Sequence, residues 1–249
     1  MVLEDDVFPP AVISSARRQE KGFWPERTAR FKGAEEMRHR LSQGEGEVVM
    51  ASSEIRRRYD RLSCLFDLLE APFEVLLFRR YRRRLLPQAR GRTLEVGFGT
   101  GRSLRYYPQG CRVVGLELSG GMLRRARRRA EKQAVTLIQG DAEHLPLRPA
   151  LFDTVVCCLS LCTVPRPLEA LLEMRRVSRP GGQISLLEHV LSPRPWIARL
   201  QHLLTPWQVR RIGCHLNRQT EETVRRAGIS IEHQERSALG AIQLIQGKP

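Results

Sequence analysis

The sequence predicts an α/β fold, a doubly wound and mainly parallel sheet with helices on both faces. Three observations carry that prediction. From Gly91 onward, strand-sized apolar runs alternate with segments of helical period, the pattern of βαβ units that bury a parallel sheet. One of those runs, Leu94-Glu95-Val96, passes directly into glycines at alternate positions, Gly97, Gly99 and Gly101. The next apolar strand then ends on an acid, Glu117, twenty residues after Gly97.

Taken in order, residues 1–49 carry eight Lys/Arg and nine Asp/Glu, little periodicity, and the breakers Pro9-Pro10 and Gly44-Glu45-Gly46. They read as a poorly ordered N-terminal extension. Residues 50–90 read as a helical cap. Ser53 is a candidate N-cap, with Ile55, Tyr59, Leu62, Phe66 and Leu69 on the apolar face behind it. A second helical stretch, Phe73 to Leu86, sets Leu76, Leu77 and Phe78 against Arg79, Arg80, Arg82, Arg83 and Arg84. A solvated Arg face is expected there, and a lipid surface is the alternative.

Residues 91–249 form the remaining domain. Strands are expected at Thr93–Gly97, Arg112–Glu117, Val135–Gln139, Phe152–Leu159 and Gln183–His189, with two more near Ile229–Gln234 and Ala241–Gln246. Helices are expected to begin near Gly101, Ser119, Pro167 and Thr220. The stretch from Trp196 to Trp207 is expected to form part of a lid, with core packing as its alternative.

Composition narrows the function classes. Apolar residues make up 41% of the 249, enough for a core. The apolar runs stay far below the ~18 residues of a membrane helix, and no secretory-signal layout is present. A cytoplasmic place is therefore expected, with peripheral contact at an anionic membrane left open. The six cysteines make no C-x-x-C pair and read as buried free thiols, so no metal is expected. Net charge is +15 and 38 of the 42 basic residues are Arg. That balance suits nucleic acid, anionic lipid or acidic small molecules alike.

The glycine spacing is G-x-G-x-G, with Arg102 where a dinucleotide fingerprint places its last Gly or Ala. This points away from NAD and toward S-adenosylmethionine. An adenosyl cofactor needs close main-chain approach at its amino-acid end, an acid for the ribose hydroxyls and a slot for adenine. Gly97, Gly99 and Gly101 supply the first and Glu117 the second. Asp141, in Gly140-Asp141-Ala142 after the third strand, supplies the third. The alternatives are a helix-start acceptor for Glu117 and a turn residue for Asp141. If the acceptor must lose a proton, His189 at the end of the fifth strand is the candidate base, a structural histidine being the alternative. Glu188 is expected to face the opposite way, and Cys162 and Cys214 either line the acceptor pocket or pack as apolar groups.

From about Tyr59 to the end, the chain resembles the class I S-adenosylmethionine-dependent methyltransferases. Within them it is similar to the quinone-biosynthesis C-methyltransferase, bacterial phosphatidylethanolamine N-methyltransferase and alkyl thiol methyltransferase-like branch. The resemblance rests on Tyr59-Asp60-Arg61-Leu62, Leu94 to Gly101, Tyr106 to Val113, Phe152 to Val156 and Leu161-Cys162-Thr163-Val164. It continues in Arg176 to Gly182, Leu187-Glu188-His189-Val190 and Gly213 to Arg218. It implies a Rossmann-like sheet of seven strands, the last antiparallel. It also implies cofactor contacts at Tyr59, Glu95, Gly97, Gly99, Gly101, Glu117, Leu118, Met122, Asp141, Ala142 and Leu159. One departure is Phe66-Asp67 where a Tyr-Asp repeat is expected.

The reading is methyl transfer to a small-molecule or lipid-like acceptor: a quinone ring, an aminophospholipid or a thiol. The alternatives are an RNA or DNA methyltransferase and a cofactor-binding protein without turnover. Nucleic acid is disfavoured because Cys158-Leu159-Ser160-Leu161-Cys162 stands where an Asn/Asp-Pro-Pro-aromatic stretch would be, and no stacking aromatics interleave the Arg residues.

Overall fold

The computed structural model describes residues 50–131, 133, 135–237 and 239–249. The N-terminal extension expected over residues 1–49 lies outside them. Seven strands form one sheet: β1 Arg92–Val96, β2 Arg112–Glu117, β3 Val135–Gln139, β4 Phe152–Cys158, β5 Ser178–His189, β6 Ser230–Arg236 and β7 Ile242–Lys248. Their spatial order is β3-β2-β1-β4-β5-β7-β6. The first five pair in parallel, and β7 slots antiparallel between β5 and β6. The chain reverses direction across the sheet at β1, between β2 and β4, which is where ligands bind in open α/β sheets.

Central strands covered on both faces should be apolar throughout. Leu94 and Val96 of β1, Val155, Val156 and Cys157 of β4, and Ile184, Leu186 and Leu187 of β5 are each at most 1% exposed. β5 begins five residues earlier than Gln183 because Ser178 already pairs with Phe152, with a register shift before Gln183 takes up Thr154.

Six α-helices are present among the described residues: α1 Ser52–Phe73, α2 Arg79–Leu85, α3 Gly120–Ala130, α4 Pro167–Val177, α5 Pro195–Ile212 and α6 Thr220–Arg226. Three expectations are corrected. Helix α1 starts at Ser52 with Ala51 in the cap position and no side-chain cap, so Ser53 is not the N-cap. No α-helix starts near Gly101; turns lead to a single 3-10 turn at Leu104–Tyr106. Gly101 sits at φ +78°, and Ser103 turns inward with its hydroxyl donating to both oxygens of Glu95 at 2.7 and 2.6 Å. That geometry spends these residues on holding the loop.

The third correction concerns Phe73 to Leu86. Instead of one helix, a π turn at Glu74–Phe78 joins α1 to α2, following Pro72, which has no N–H for the helical ladder. The segment then turns Arg82 inward, 6% exposed, where its Nε donates to the buried Glu74 Oε2 at 3.2 Å. Arg79, Arg80, Arg83 and Arg84 stay exposed.

Asp67 fastens α1 to the loop after β1 and to α3. Its carboxylate accepts from Thr100 Oγ1 at 2.7 Å, Arg102 Nε at 2.8 Å and Arg129 Nη2 at 2.8 Å. Burial works to raise its pKa, but the Arg102, Arg129 and Thr100 donors outweigh it and pull the carboxyl down to about 2. A carboxyl whose folded-state pKa is depressed contributes stability that is full above the unfolded value and lost below the folded one. Native stability is expected to fall between about pH 4 and pH 2, and Asp67→Asn to flatten that loss in denaturant titrations across the window.

Candidate active site

The carboxyl ends of β1, β2, β4 and β5 open beneath α1 into a cavity of about 450 Å³. Its floor is the loop after β1. Gly97 and Phe98 both donate their N–H to Leu116 O at 2.9 Å, which curls the loop over the end of β2. Gly97 and Gly99 take φ +72° and +58°, the left-handed region that glycine enters without penalty. At Gly97 a Cβ would lie 2.1 Å from Ser160 Oγ, whereas at Gly99 it would meet no atom within 4 Å. Open space over a glycine that lines the cavity is where a ligand can approach the main chain.

Gly101 does not line the cavity. Its missing Cβ makes room for the Phe98 ring at 3.0 Å and the α3 backbone at Ala126, which packs the loop. Arg102 is explained by α1: it donates from Nε to the Asp67 carboxylate and from Nη2 to the Asp67 carbonyl. A dinucleotide-type glycine there would leave α1 without that tie.

Glu117 at the end of β2 takes the helix-start role and lines the cavity as well. Its Oε2 accepts from Gly99 N–H at 2.9 Å and its Oε1 from Ser119 N–H at 2.8 Å, so one carboxylate fixes the loop and the start of α3. Burial pushes its pKa up while these main-chain donors pull against that. It lines the cavity with Leu118, Met122, Asp141 and Ala142. Asp141 accepts from Glu143 N–H at 3.0 Å through Oδ1, so it is a turn residue whose carboxylate also borders the cavity. Ser119 caps α3 by accepting from Met122 N–H at 3.1 Å, which holds Met122, 1% exposed, at the wall.

Glu95 lies deeper. Burial raises its carboxyl to about 7, against donors from Ser103 and Tyr107 and the charge of Arg82. It braces the loop from beneath while still bordering the cavity. Tyr59, from α1, also lines the cavity and packs its ring 5.9 Å from Phe66. Leu159, just past β4, holds φ +60°, an uncommon conformation for a branched side chain and one that concentrates at binding sites.

His189 stands at the end of β5 on the cavity wall with Cys162 and Cys214. Its Nδ1 is 3.9 Å from Cys214 Sγ, and the ligating atoms of all three lie within 4.8 Å of one another. The cysteine segments are pinned together by His215 N–H donating to Cys162 O at 2.9 Å. Glu188 faces the other way, as alternation requires. Its Oε1 accepts from Ser160 and Leu161 N–H at 3.0 Å and from Cys157 Sγ at 3.4 Å, fixing the turn that carries Cys162.

Sequence reasoning missed Asp60, Asp67, Glu70 and Arg82. Asp60 Oδ1 accepts from Ser119 Oγ at 2.7 Å and Gly121 N–H at 2.8 Å, joining α1 to the start of α3. The available signal was the spacing: Asp60, Ser63 and Asp67 lie at i, i+3 and i+7, one face of a helix. Glu70 and Arg82 line the cavity, and nothing in their local sequence marks them.

Comparison with known proteins adds three kinds of finding. A methyltransferase domain profile matches residues 94–186. The chain is 39% identical over 148 residues to thiol S-methyltransferase TMT1B of Mus musculus, covering 55% of this chain and 59% of that protein. To the TMT1B of Homo sapiens it is 34% identical over 173 residues, 62% of this chain and 70% of that protein. To phosphatidylethanolamine N-methyltransferase of Cereibacter sphaeroides it is 41% identical over 103 residues, 40% and 51% respectively. The chain thus spans between about half and about two-thirds of these relatives' lengths. Among solved structures, the [4+2]-cyclase SpnF superposes with a TM-score of 0.65 at 18% identity, over 82% of this chain and 98% of that one. That likeness shows the fold; chemistry has to be argued from the site.

Proposed function

The chain belongs to the S-adenosylmethionine-dependent methyltransferases, and on that premise we propose that it transfers a methyl group to a small or lipid-like acceptor, a thiol, an amine headgroup or a quinone ring. One observation carries the reading. The open glycine Gly99 and the carboxylate Glu117 are hydrogen-bonded to each other in the lining of a cavity that His189 also lines.

The residues present fit an adenosyl group. Gly99 leaves space for it beside the main chain. Each Glu117 oxygen already takes one main-chain N–H and keeps a lone pair for a ribose diol. Asp141 and Ala142, with Met122 and Leu118, offer the polar–apolar slot that adenine needs. When bound, the cofactor supplies a methyl carbon already activated by its sulfonium. The protein then has only to align the acceptor and keep water out. Leu159, Phe78 and Phe66 wall the cavity with apolar surface, and His189 with its two cysteine neighbours is the polar group assigned to the acceptor in this reading.

The test is transfer from radiolabelled S-adenosylmethionine to fractionated cell extract. Label is expected in the lipid or small-molecule fraction; label confined to nucleic acid overturns the reading. His189→Ala is expected to lower turnover about 10²-fold with cofactor affinity unchanged, and equal turnover would remove His189 from the site.

We also place the protein in the cytoplasm, in contact with anionic membrane surfaces. No described helix is long and apolar enough to cross a membrane, and all six cysteines are free, as a reducing compartment favours. Helix α5 carries Trp196, Leu200, Leu203, Leu204 and Trp207 exposed on one stripe, while Gln208 and Ile212 near its end line the cavity. Arg199, Arg210 and Arg211 flank them. Trp and Arg beside exposed Leu suit an interface with anionic lipid. Co-sedimentation with phosphatidylglycerol vesicles, weakened by salt and by Trp196→Ser with Leu203→Ser, is expected. Absence of binding, or equal binding to neutral phosphatidylcholine, contradicts this placement.

A further inference from the structure

We propose that Cys162, His189 and Cys214 form a zinc-type metal site inside the cavity, with its fourth position open to a thiol acceptor. The proposal deepens the methyl-transfer reading and rests on it for the acceptor step only.

Three separate segments converge to make the site: the turn after β4, the end of β5 and the segment that follows α5. Their ligating atoms already lie within 4.8 Å of one another, with Nδ1 and Cys214 Sγ at 3.9 Å. A tetrahedral zinc with Zn–S about 2.3 Å and Zn–N about 2.0–2.1 Å has ligand–ligand edges of roughly 3.5–3.8 Å. Closure therefore asks for movements of about an ångström. The main chain that carries the ligands is held independently of any metal. Glu188 fixes the 160–161 amides, His215 N–H binds Cys162 O, and Leu159 N–H binds Leu187 O.

The donor set is chemically specific. Two thiols and an imidazole suit zinc among the common divalent ions, and two thiolates balance its charge. Three protein ligands leave a position free, the arrangement of a site that acts on a bound ligand, whereas closed structural sites use four. All three residues border the cavity that Gly99 and Glu117 also border. A metal here would be inside the reaction chamber.

An open zinc position selects among the acceptor classes. An alkanethiol binding there loses its proton to solvent and stays as thiolate, because coordination deprotonates a thiol. In transfer, the thiolate lone pair forms the new S–CH3 bond as the sulfonium C–S bond breaks. The electron pair of that bond returns to the cofactor sulfur. Both products, a thioether and the demethylated cofactor, are neutral at sulfur, and a thioether is a weaker ligand that can leave. Amines and quinone ring carbons gain nothing comparable from this donor set.

The experiment uses the full chain without an affinity tag, stripped with a chelator and titrated with zinc or cobalt(II). One equivalent of either is expected, and the cobalt form should show a thiolate-to-metal charge-transfer band. Hexanethiol should change that spectrum by taking the fourth position. Cys162→Ser with Cys214→Ser should abolish the band and the stoichiometric zinc while S-adenosylmethionine affinity stays within about twofold. Sub-stoichiometric metal, a cobalt spectrum without the thiolate band, or a Cys162–Cys214 disulfide that persists in protein purified under reducing conditions overturns the proposal. If the double variant does not fold, the wild-type cobalt spectrum and its response to hexanethiol decide. Loss of cofactor binding in the wild type would instead overturn the methyl-transfer reading and leave the metal stoichiometry standing.

Discussion

Glu117→Ala is expected to weaken S-adenosylmethionine binding by one to two orders of magnitude. A carboxylate that accepts hydrogen bonds from a bound diol contributes about 1.5–3 kcal/mol, and each 1.4 kcal/mol is tenfold in Kd. The effect has a second source. Gly99 N–H and Ser119 N–H both donate to this side chain, so alanine also releases the loop and the start of α3. Native stability should drop as well, by about 1–2 kcal/mol. Glu117→Gln keeps the shape and one good acceptor, and should fall between wild type and alanine. An alanine variant with unchanged affinity would mean that the ribose is held elsewhere.

The second large effect separates two glycines that look alike in the sequence. At Gly97, φ is +72° and an added Cβ would sit 2.1 Å from Ser160 Oγ. Strain of about 1–2 kcal/mol adds to a contact that must push the turn after β4 away. Gly97→Ala should cost about 2–4 kcal/mol and lower Tm by roughly 5–15 °C. Adding Ser160→Ala should recover only the steric part. Gly99 has φ +58° but no atom within 4 Å of its absent Cβ. Gly99→Ala should therefore keep the fold at a cost of about 1–2 kcal/mol and lose cofactor affinity, because the methyl takes ligand space. The two variants, compared by thermal unfolding and by cofactor titration, should show opposite balances. Equal profiles would contradict the geometry described for the loop.

Much of this architecture was legible because periodicity reports burial. Strands β2 and β3 run over the residues their apolar pattern predicted, and Ser119 caps α3 as its position before a polar–apolar helix implied. The elements that were misread are those whose conformation is set from a distance. The helix expected near Gly101 is replaced by turns because Glu95 captures Ser103 and Asp67 captures Arg102, partners seven or more residues away. The inward turn of Arg82 follows from a buried ion pair with Glu74, and no local pattern announces it.

The site divides the same way. Loop, acid and turn residues of the cofactor wall lie within about fifty residues of one another, in motifs with fixed spacing. Cys162, His189 and Cys214 come from segments with no metal-like spacing, so only the fold brings them together. Arg102, a departure from the dinucleotide pattern, proved to have a role once Asp67 was seen across from it.

Calorimetric titration of the folded protein with S-adenosylmethionine, and then with its demethylated product, tests the central claim most directly. Saturable one-to-one binding of each is expected, the two competing for a single site. Absence of heat from both, on protein whose thermal unfolding shows a cooperative transition, would contradict it.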